Sequence, residues 1–237
     1  MSLNYAFMVQ DIPVVLAALP RTLGFALCAY MGAILLAFLA GICILRNIPL
    51  LKQLVIALNT LLKGVPLMVQ LLLCFYAIPY LLQGLDGFLG YAYNPKNPSY
   101  FAFALVAFAF NYGAYMTDVV LSSYRAVDKG QLEAAYSVGM SAWQGLAHIV
   151  LPQALVIAIP NLTNYFIWLF KASSLASLVN VFELLATARM STANNYAILE
   201  GYIVAAGIYW LVCVLAEKGF ALLDKKMNKF RHDLPTA

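Results

Sequence analysis

Three series of polar residues recur at helical spacing inside long apolar runs. Asn59, Lys63, Pro66 and Gln70 step by four, three and four, and so do Asn111, Tyr115, Asp118 and Ser122. Asn161, Asn164, Trp168 and Lys171 step by three, four and three. Each series falls on one helix face. Neutral amides both donate and accept. Gln70, Asn111 and Asn164, near mid-span, together with Tyr115, Asp118 and Asn161, could therefore solvate the carboxylate and ammonium of a zwitterion without trapping it. Lys63, Asp118 and Lys171 cost more, about 2.5–3.5 kcal/mol for a charge at the centre of a spanning helix. Lys63 and Asp118 suit a gate or a structural ion pair. Lys171 either pairs or snorkels to the interface. Ordinary interhelical hydrogen bonds, about 0.6 kcal/mol each, would account for any one amide. The alignment of three sets favours a lined path.

Covalent chemistry has little to work with. No GxxxxGK[ST] loop, GxSxG elbow or HExxH occurs, and His148 and His232 stand too far apart to suggest a metal site. Cys28, Cys43, Cys74 and Cys213 sit inside apolar runs without ligand or disulfide spacing. These absences argue against an enzyme and predict no cofactor or metal in this chain. If ATP drives the protein, a separate chain must hold the ATP and its Mg. The net charge of +4 gives no reason to invoke nucleic acid.

The elements that must position these residues are membrane helices. The 237 residues are 64% hydrophobic and 10% charged, against about 25% charged in soluble domains. Spans are expected at about Thr22–Leu45, Leu54–Leu82, Tyr100–Leu121, Gln153–Val179 and Tyr196–Leu222, each long enough for a core of about 30 Å. Pro66 should kink the second. Residues 1–20, interrupted by Asp11, Pro13 and Pro20, suit an interfacial segment, and the lack of a basic stretch before the apolar run argues against a cleaved signal. Gln83–Ser99, with Tyr91 and Tyr93, reads as a loop, and residues 180–195 as a short surface helix and turn. Arg46, Lys52, Arg125, Lys129, Lys225, Lys226, Lys229 and Arg231 fall on one side of such a five-span chain. The positive-inside rule then puts the N-terminus outside and the C-terminus in the cytoplasm.

One stretch is neither apolar nor short. Gly130–Pro152 lies between two spans and reads as two helices at an angle. Asp128 with Gln131 suits a capping box, and Glu133-Ala134-Ala135 propagates helix. Gly139 fits a C′ position of positive φ, and Ser141 with Gln144 opens the second helix. Small Ala134 and Ala135 would let a partner approach closely.

Glu133-Ala134-Ala135, three residues to Gly139, nine to Ile149, then Leu151-Pro152 resembles the EAA signature of bacterial ABC importer permeases. Lys63-Gly-Val-Pro-Leu-Met-Val-Gln70, Lys171-Ala-Ser-Ser-Leu-Ala-Ser177 and Leu151-Pro-Gln-Ala154 look like the polar amino acid branch. The likeness covers roughly residues 54–220. Ala193 to Tyr202 is similar to cystine-type members. There are departures: Lys63, Val65, Asp118 and Leu121 stand where the branch favours Arg, Thr, Glu and Arg.

The resemblance implies a single all-α permease domain over residues 1–237, of the type I importer kind. Residues 125–152 would be its cytoplasmic coupling loop, in which Glu133, Ala134, Ala135 and Gly139 meet the ATPase. It also implies ATPase subunits, a second permease chain (the same or homologous), an extracytoplasmic amino acid-binding protein, and a place in the bacterial cytoplasmic membrane. The expected function is ATP-driven import of a polar amino acid, with cystine or a basic amino acid in view. A stand-alone channel or secondary carrier for a small polar solute is the alternative.

Overall fold

The computed structural model describes residues 3–89 and 99–232, and every regular element in them is helical. In chain order these are α1 (Tyr5–Leu16), α2 (Leu19–Leu45), α3 (Leu51–Gly64), α4 (Leu67–Leu89), α5 (Tyr100–Arg125), α6 (Lys129–Ser137), α7 (Ala142–Gly145), α8 (Leu151–Ala172), α9 (Leu184–Thr192) and α10 (Ile198–His232). Five segments are long and apolar enough to cross a membrane: Leu19–Leu45, Leu67–Leu85, Tyr100–Arg125, Ala142–Val179 and Ile198–Lys225.

The centre is the pair α2 and α5. Ala26, Ala29, Ala33, Ala37 and Gly41 of α2 are buried at helical spacing, as are Ala104, Ala107, Gly113 and Ala114 of α5. A Cβ on Gly113 would lie 3.1 Å from the Leu36 Cβ and 3.3 Å from the Ala33 carbonyl oxygen. Small residues bring the two backbones together, which is how membrane helices gain packing energy without a hydrophobic drive. Phe25 fills the end of this contact nearest the start of α5, edge-on to Phe101 at 5.4 Å and to Phe108 at 5.1 Å between ring centroids.

Five expectations need revision. The second span is not one kinked helix. Val65 is extended (φ −99°, ψ 131°), as a residue before proline prefers, and the helix stops at Gly64 and restarts at Leu67. Leu67–Leu85 is itself of spanning length, so Asn59 and Lys63 belong to one helix and Gln70 to the next.

The second helix of the coupling loop is not separate from the fourth span. After α7 the backbone widens into one π-helical turn, Leu146–Val150, and runs straight into α8. Beyond α8 it tightens into a 3-10 stretch, Ser173–Val179.

The polar stretch 180–195 holds the expected short helix and turn, with Arg189, Met190 and residues 193–195 exposed, but one face of the helix is buried. Leu184, Ala188 and Thr192 of α9 are buried, and α9 packs on α1 and α10. Finally, α4 carries on to Leu89 in place of the expected loop start at Gln83. Tyr91 and Tyr93 lie outside the described residues, and nothing is described of the Lys226, Lys229 and Arg231 side chains. Pro20 does not interrupt a helix but opens one, in the first turn of α2, where its missing N–H costs nothing.

Candidate functional site

Two sites follow from the sequence, an elbow and a lined cavity. The elbow is built by capping. The Asp128 carboxylate accepts from the Gly130 backbone N–H at 2.6 Å and starts α6. Gln131 does not complete the expected box; its side-chain oxygen accepts from Gln153 Nε2 at 3.4 Å, tying α6 to α8. At the other end Gly139 has φ +83°. Its N–H donates to the Tyr136 carbonyl at 3.0 Å, and the Met140 N–H donates to that of Ala135 at 3.0 Å. This is the paired Schellman pattern that ends a helix on a left-handed residue. Ser141 and Gln144 then form a complete capping box.

The alanine pair divides its work. Ala135 is buried, and a Cβ on Gly145 would come within 3.2 Å of the Ala135 Cβ. Ala135 therefore lets α6 pack on α7, rather than offering itself to a partner as expected. Glu133 and Ala134 are exposed, beside exposed Tyr136, Val138 and Trp143. Beneath the elbow, Val127, Val150 and Ala154 form a small core of their own.

The cavity, about 560 Å³, opens where α3 breaks. Lys63 to Leu67 form one wall, Asn111, Tyr112 and Tyr115 of α5 a second, and Tyr165, Trp168, Ala172 and Leu175 the third. The Tyr165 ring is 6.3 Å from Tyr115 and 5.3 Å from Trp168 between centroids. Lys63 Nζ donates to both Asp118 oxygens, at 3.1 and 2.9 Å. The expected pair therefore forms, with Asp118 well exposed, its side chain 62% accessible.

Of the residues read from the sequence, the cavity gathers Lys63, Pro66, Asn111, Tyr115 and Trp168, with Asp118 attached through Lys63. Gln70 is buried behind the break, where its Nε2 donates to the Leu62 and Val65 carbonyls at 2.6 and 2.8 Å. Asn161, Asn164 and Lys171 are exposed on α8, and Lys171 forms no ion pair among the described residues. The face of α8 that lines the cavity is Tyr165, Trp168 and Ala172: it shares Trp168 with the predicted stripe, while Tyr165 and Ala172 each follow a stripe residue by one position. Selecting on polarity found Trp168 but passed over Tyr165; stepping by four from Asn161 without that filter finds it.

A second group was missed altogether. Glu183, buried at the N-cap of α9, accepts from the Leu185 and Ala186 N–H groups at 2.8 and 2.7 Å and from Tyr209 of α10 at 2.5 Å. The adjacent Leu184 N–H donates to Thr22 of α2 at 3.1 Å. Burial pushes the Glu183 carboxyl above the ordinary carboxylate range, against the lowering effect of those hydrogen bonds. An acid placed just before a helix-forming run is the only sequence signal for it.

The profile of the binding-protein-dependent transport system inner membrane component matches residues 12–229. The chain belongs to that family. Among relatives of this permease, the L-cystine transport system permease protein TcyL of Bacillus subtilis (strain 168) is 35% identical, over 92% of this chain and 89% of TcyL. The probable amino-acid ABC transporter permease protein PatM of Vibrio harveyi is 29% identical, over 97% and 98%. A crystal structure of an amino acid ABC transporter with histidines superposes on the permease with a TM-score of 0.81 at 28% identity, covering 95% of this chain and all of that one. An inward-facing MetNI methionine ABC transporter shares the fold, with a TM-score of 0.62 at 14% identity over 93% and 99%. The permease is thus an all-helical membrane protein of the type I importer kind, as its coupling signature implied.

Proposed function

We propose that this permease passes a polar amino acid inward across the bacterial cytoplasmic membrane, driven by ATP bound with Mg on separate ATPase subunits. Its working form pairs two permease chains, the same or homologous, and takes solute from an extracytoplasmic binding protein. The N-terminus lies outside; the elbow and C-terminus lie in the cytoplasm. The observation that carries the reading is the elbow: a Schellman-ended helix, α6, that offers Glu133 and Ala134 beside Tyr136, Val138 and Trp143, followed by α7, which continues through the π turn into α8. An exposed apolar patch of this kind marks a protein-contact surface, and its direct continuity with two spanning helices suits force transfer.

The relatives named for L-cystine make cystine the first solute to test, with basic amino acids next. Purification under mild conditions should bring an ATPase chain with the permease. The reconstituted assembly should take up labelled cystine or a basic amino acid only with ATP. Uptake by the permease without any ATPase chain would refute the reading.

A further inference from the structure

Pro66 leaves carbonyls around the end of α3 without helical donors, and side chains of α4 and α5 take those of Leu62, Lys63 and Val65. Gln70 Nε2 of α4 takes the Leu62 and Val65 oxygens. Asn111 Nδ2 of α5 takes Leu62 again at 3.3 Å, and the Tyr115 hydroxyl of α5 donates to the Lys63 carbonyl at 3.2 Å. Lys63 then clasps Asp118, also on α5. Among the described residues the end of α3 is thus tied to α5 through the side chains of Asn111, Tyr115 and Asp118, spread over two helical turns, but to α4 through that of Gln70 alone. Its own backbone is extended at Val65, between α3 and α4, where the chain can bend without unwinding either helix. Meanwhile α5 reaches the coupling elbow through only Ala126, Val127 and Asp128. Facing all this across the cavity are Tyr165 and Trp168 of α8.

We propose that the α3–α4 break is a joint, and that Tyr115 and Asn111 are positioning residues that make the end of α3 travel with α5 as one body, so that movement of the elbow, which runs straight into α8 but reaches α5 only through a short link, opens or closes the cavity between α8 and that body. The donors of Gln70, Asn111 and Tyr115 are then engaged by backbone and do not serve chiefly to solvate solute, as their stripe suggested. This rests on the reading of the chain as an ATP-coupled permease.

Two measurements decide it, both on the complete assembly with its ATPase and binding protein in liposomes. Tyr115→Phe removes one tie and little volume. The ATP hydrolysed per solute moved should rise by about fivefold, the equilibrium worth of one net hydrogen bond, while KM stays fixed. A rise in KM at an unchanged ratio would make Tyr115 a solute contact and overturn the proposal, as would no change in either.

The second measurement uses spin labels in a background free of native cysteines, placed at exposed Leu61→Cys, Phe110→Cys and Leu155→Cys. The 61–110 distance should be the same without nucleotide and with trapped ATP, and the 110–155 distance should change. A 61–110 distance that changes with nucleotide refutes the single body. If the parent assembly takes up no amino acid at all, the functional reading fails instead, and the label distances still judge the joint.

Discussion

Gly139 offers the sharpest test of the elbow, because its cost can be worked out from the backbone alone. Its φ is +83°, and a Cβ built there meets no atom within 4 Å. Gly139→Ala therefore adds no clash; it adds only the penalty of placing an L-residue in the left-handed region, about 1–2 kcal/mol. Asparagine tolerates that region better, so Gly139→Asn should cost less. Proline cannot reach positive φ, and it also removes the N–H that donates to Tyr136 at 3.0 Å, a loss of roughly 3 kcal/mol or more. If the partner reads the folded elbow, about 1–2 kcal/mol depletes it by about 5–30-fold. The assay is a titration of purified ATPase subunit onto permease in liposomes, following stimulated ATP hydrolysis. The half-saturating concentration should rank glycine, asparagine, alanine, then proline, with proline giving no stimulation at equal membrane abundance. Equal behaviour of alanine and asparagine, or full stimulation by the proline variant, would show that the turn's geometry is not what the ATPase recognises.

Other outcomes follow from the same geometry. Ala135→Leu should lower the melting temperature, since it overfills the contact with Gly145 at a cost of about 1–3 kcal/mol, whereas Ala134→Leu should leave melting alone and weaken ATPase docking; calorimetry beside the titration separates the two. Glu133→Lys should insert normally and lose stimulation. Neutralising Lys63 or Asp118 singly should change melting by less than about 1 kcal/mol, because an accessible pair contributes little, and transport assays on Asp118→Asn would report any gating role. Glu183→Ala strips the acceptor from three donors around it and should cost about 3 kcal/mol or more, with Glu183→Gln milder. Because the folded carboxyl titrates above its ordinary value of 4.5, this group's contribution is fully present below that value and declines as pH rises through the folded pKa. The Gln variant should show a flatter dependence of melting on pH there.

Much of this was legible because membrane helices and capping have strong local signatures. The apolar runs were visible from length alone. Asp128, Gly139 and the Ser141–Gln144 box were visible because caps depend on one side chain or one φ. What failed depended on tertiary contacts. The Asp128 partner Gln131 was drawn away by Gln153, twenty-two residues on. Ala135 could not be told from Ala134 until α7 was seen packed on it. Proline predicted a disturbance at position 66, but whether a kink or a full break results depends on donors elsewhere, and these came from Gln70, Asn111 and Tyr115. Glu183 was unreadable as a buried acid because its partners Tyr209 and Thr22 lie on other helices.

The exposed stripe on α8 bears on the assembly. Asn161, Asn164 and Lys171 face outward from the folded chain, on a helix of spanning length. Facing hydrocarbon, the lysine alone would cost about 2.5–3.5 kcal/mol at mid-span, and the two amides would leave unpaired polar groups in lipid. A buried position within this chain is ruled out by their exposure, so water or a second protein surface must cover them. The second permease chain proposed above, set against this face, would supply both, a protein wall and a hydrated seam beside Trp168 at the cavity's edge. The test is direct: Asn164→Leu together with Lys171→Leu should leave a lone chain better suited to lipid. If pairing depends on this stripe, the variant should run as a monomer in detergent where the parent runs as a dimer. A variant dimer as stable as the parent would place the pairing surface elsewhere, and would leave water alone to cover the stripe.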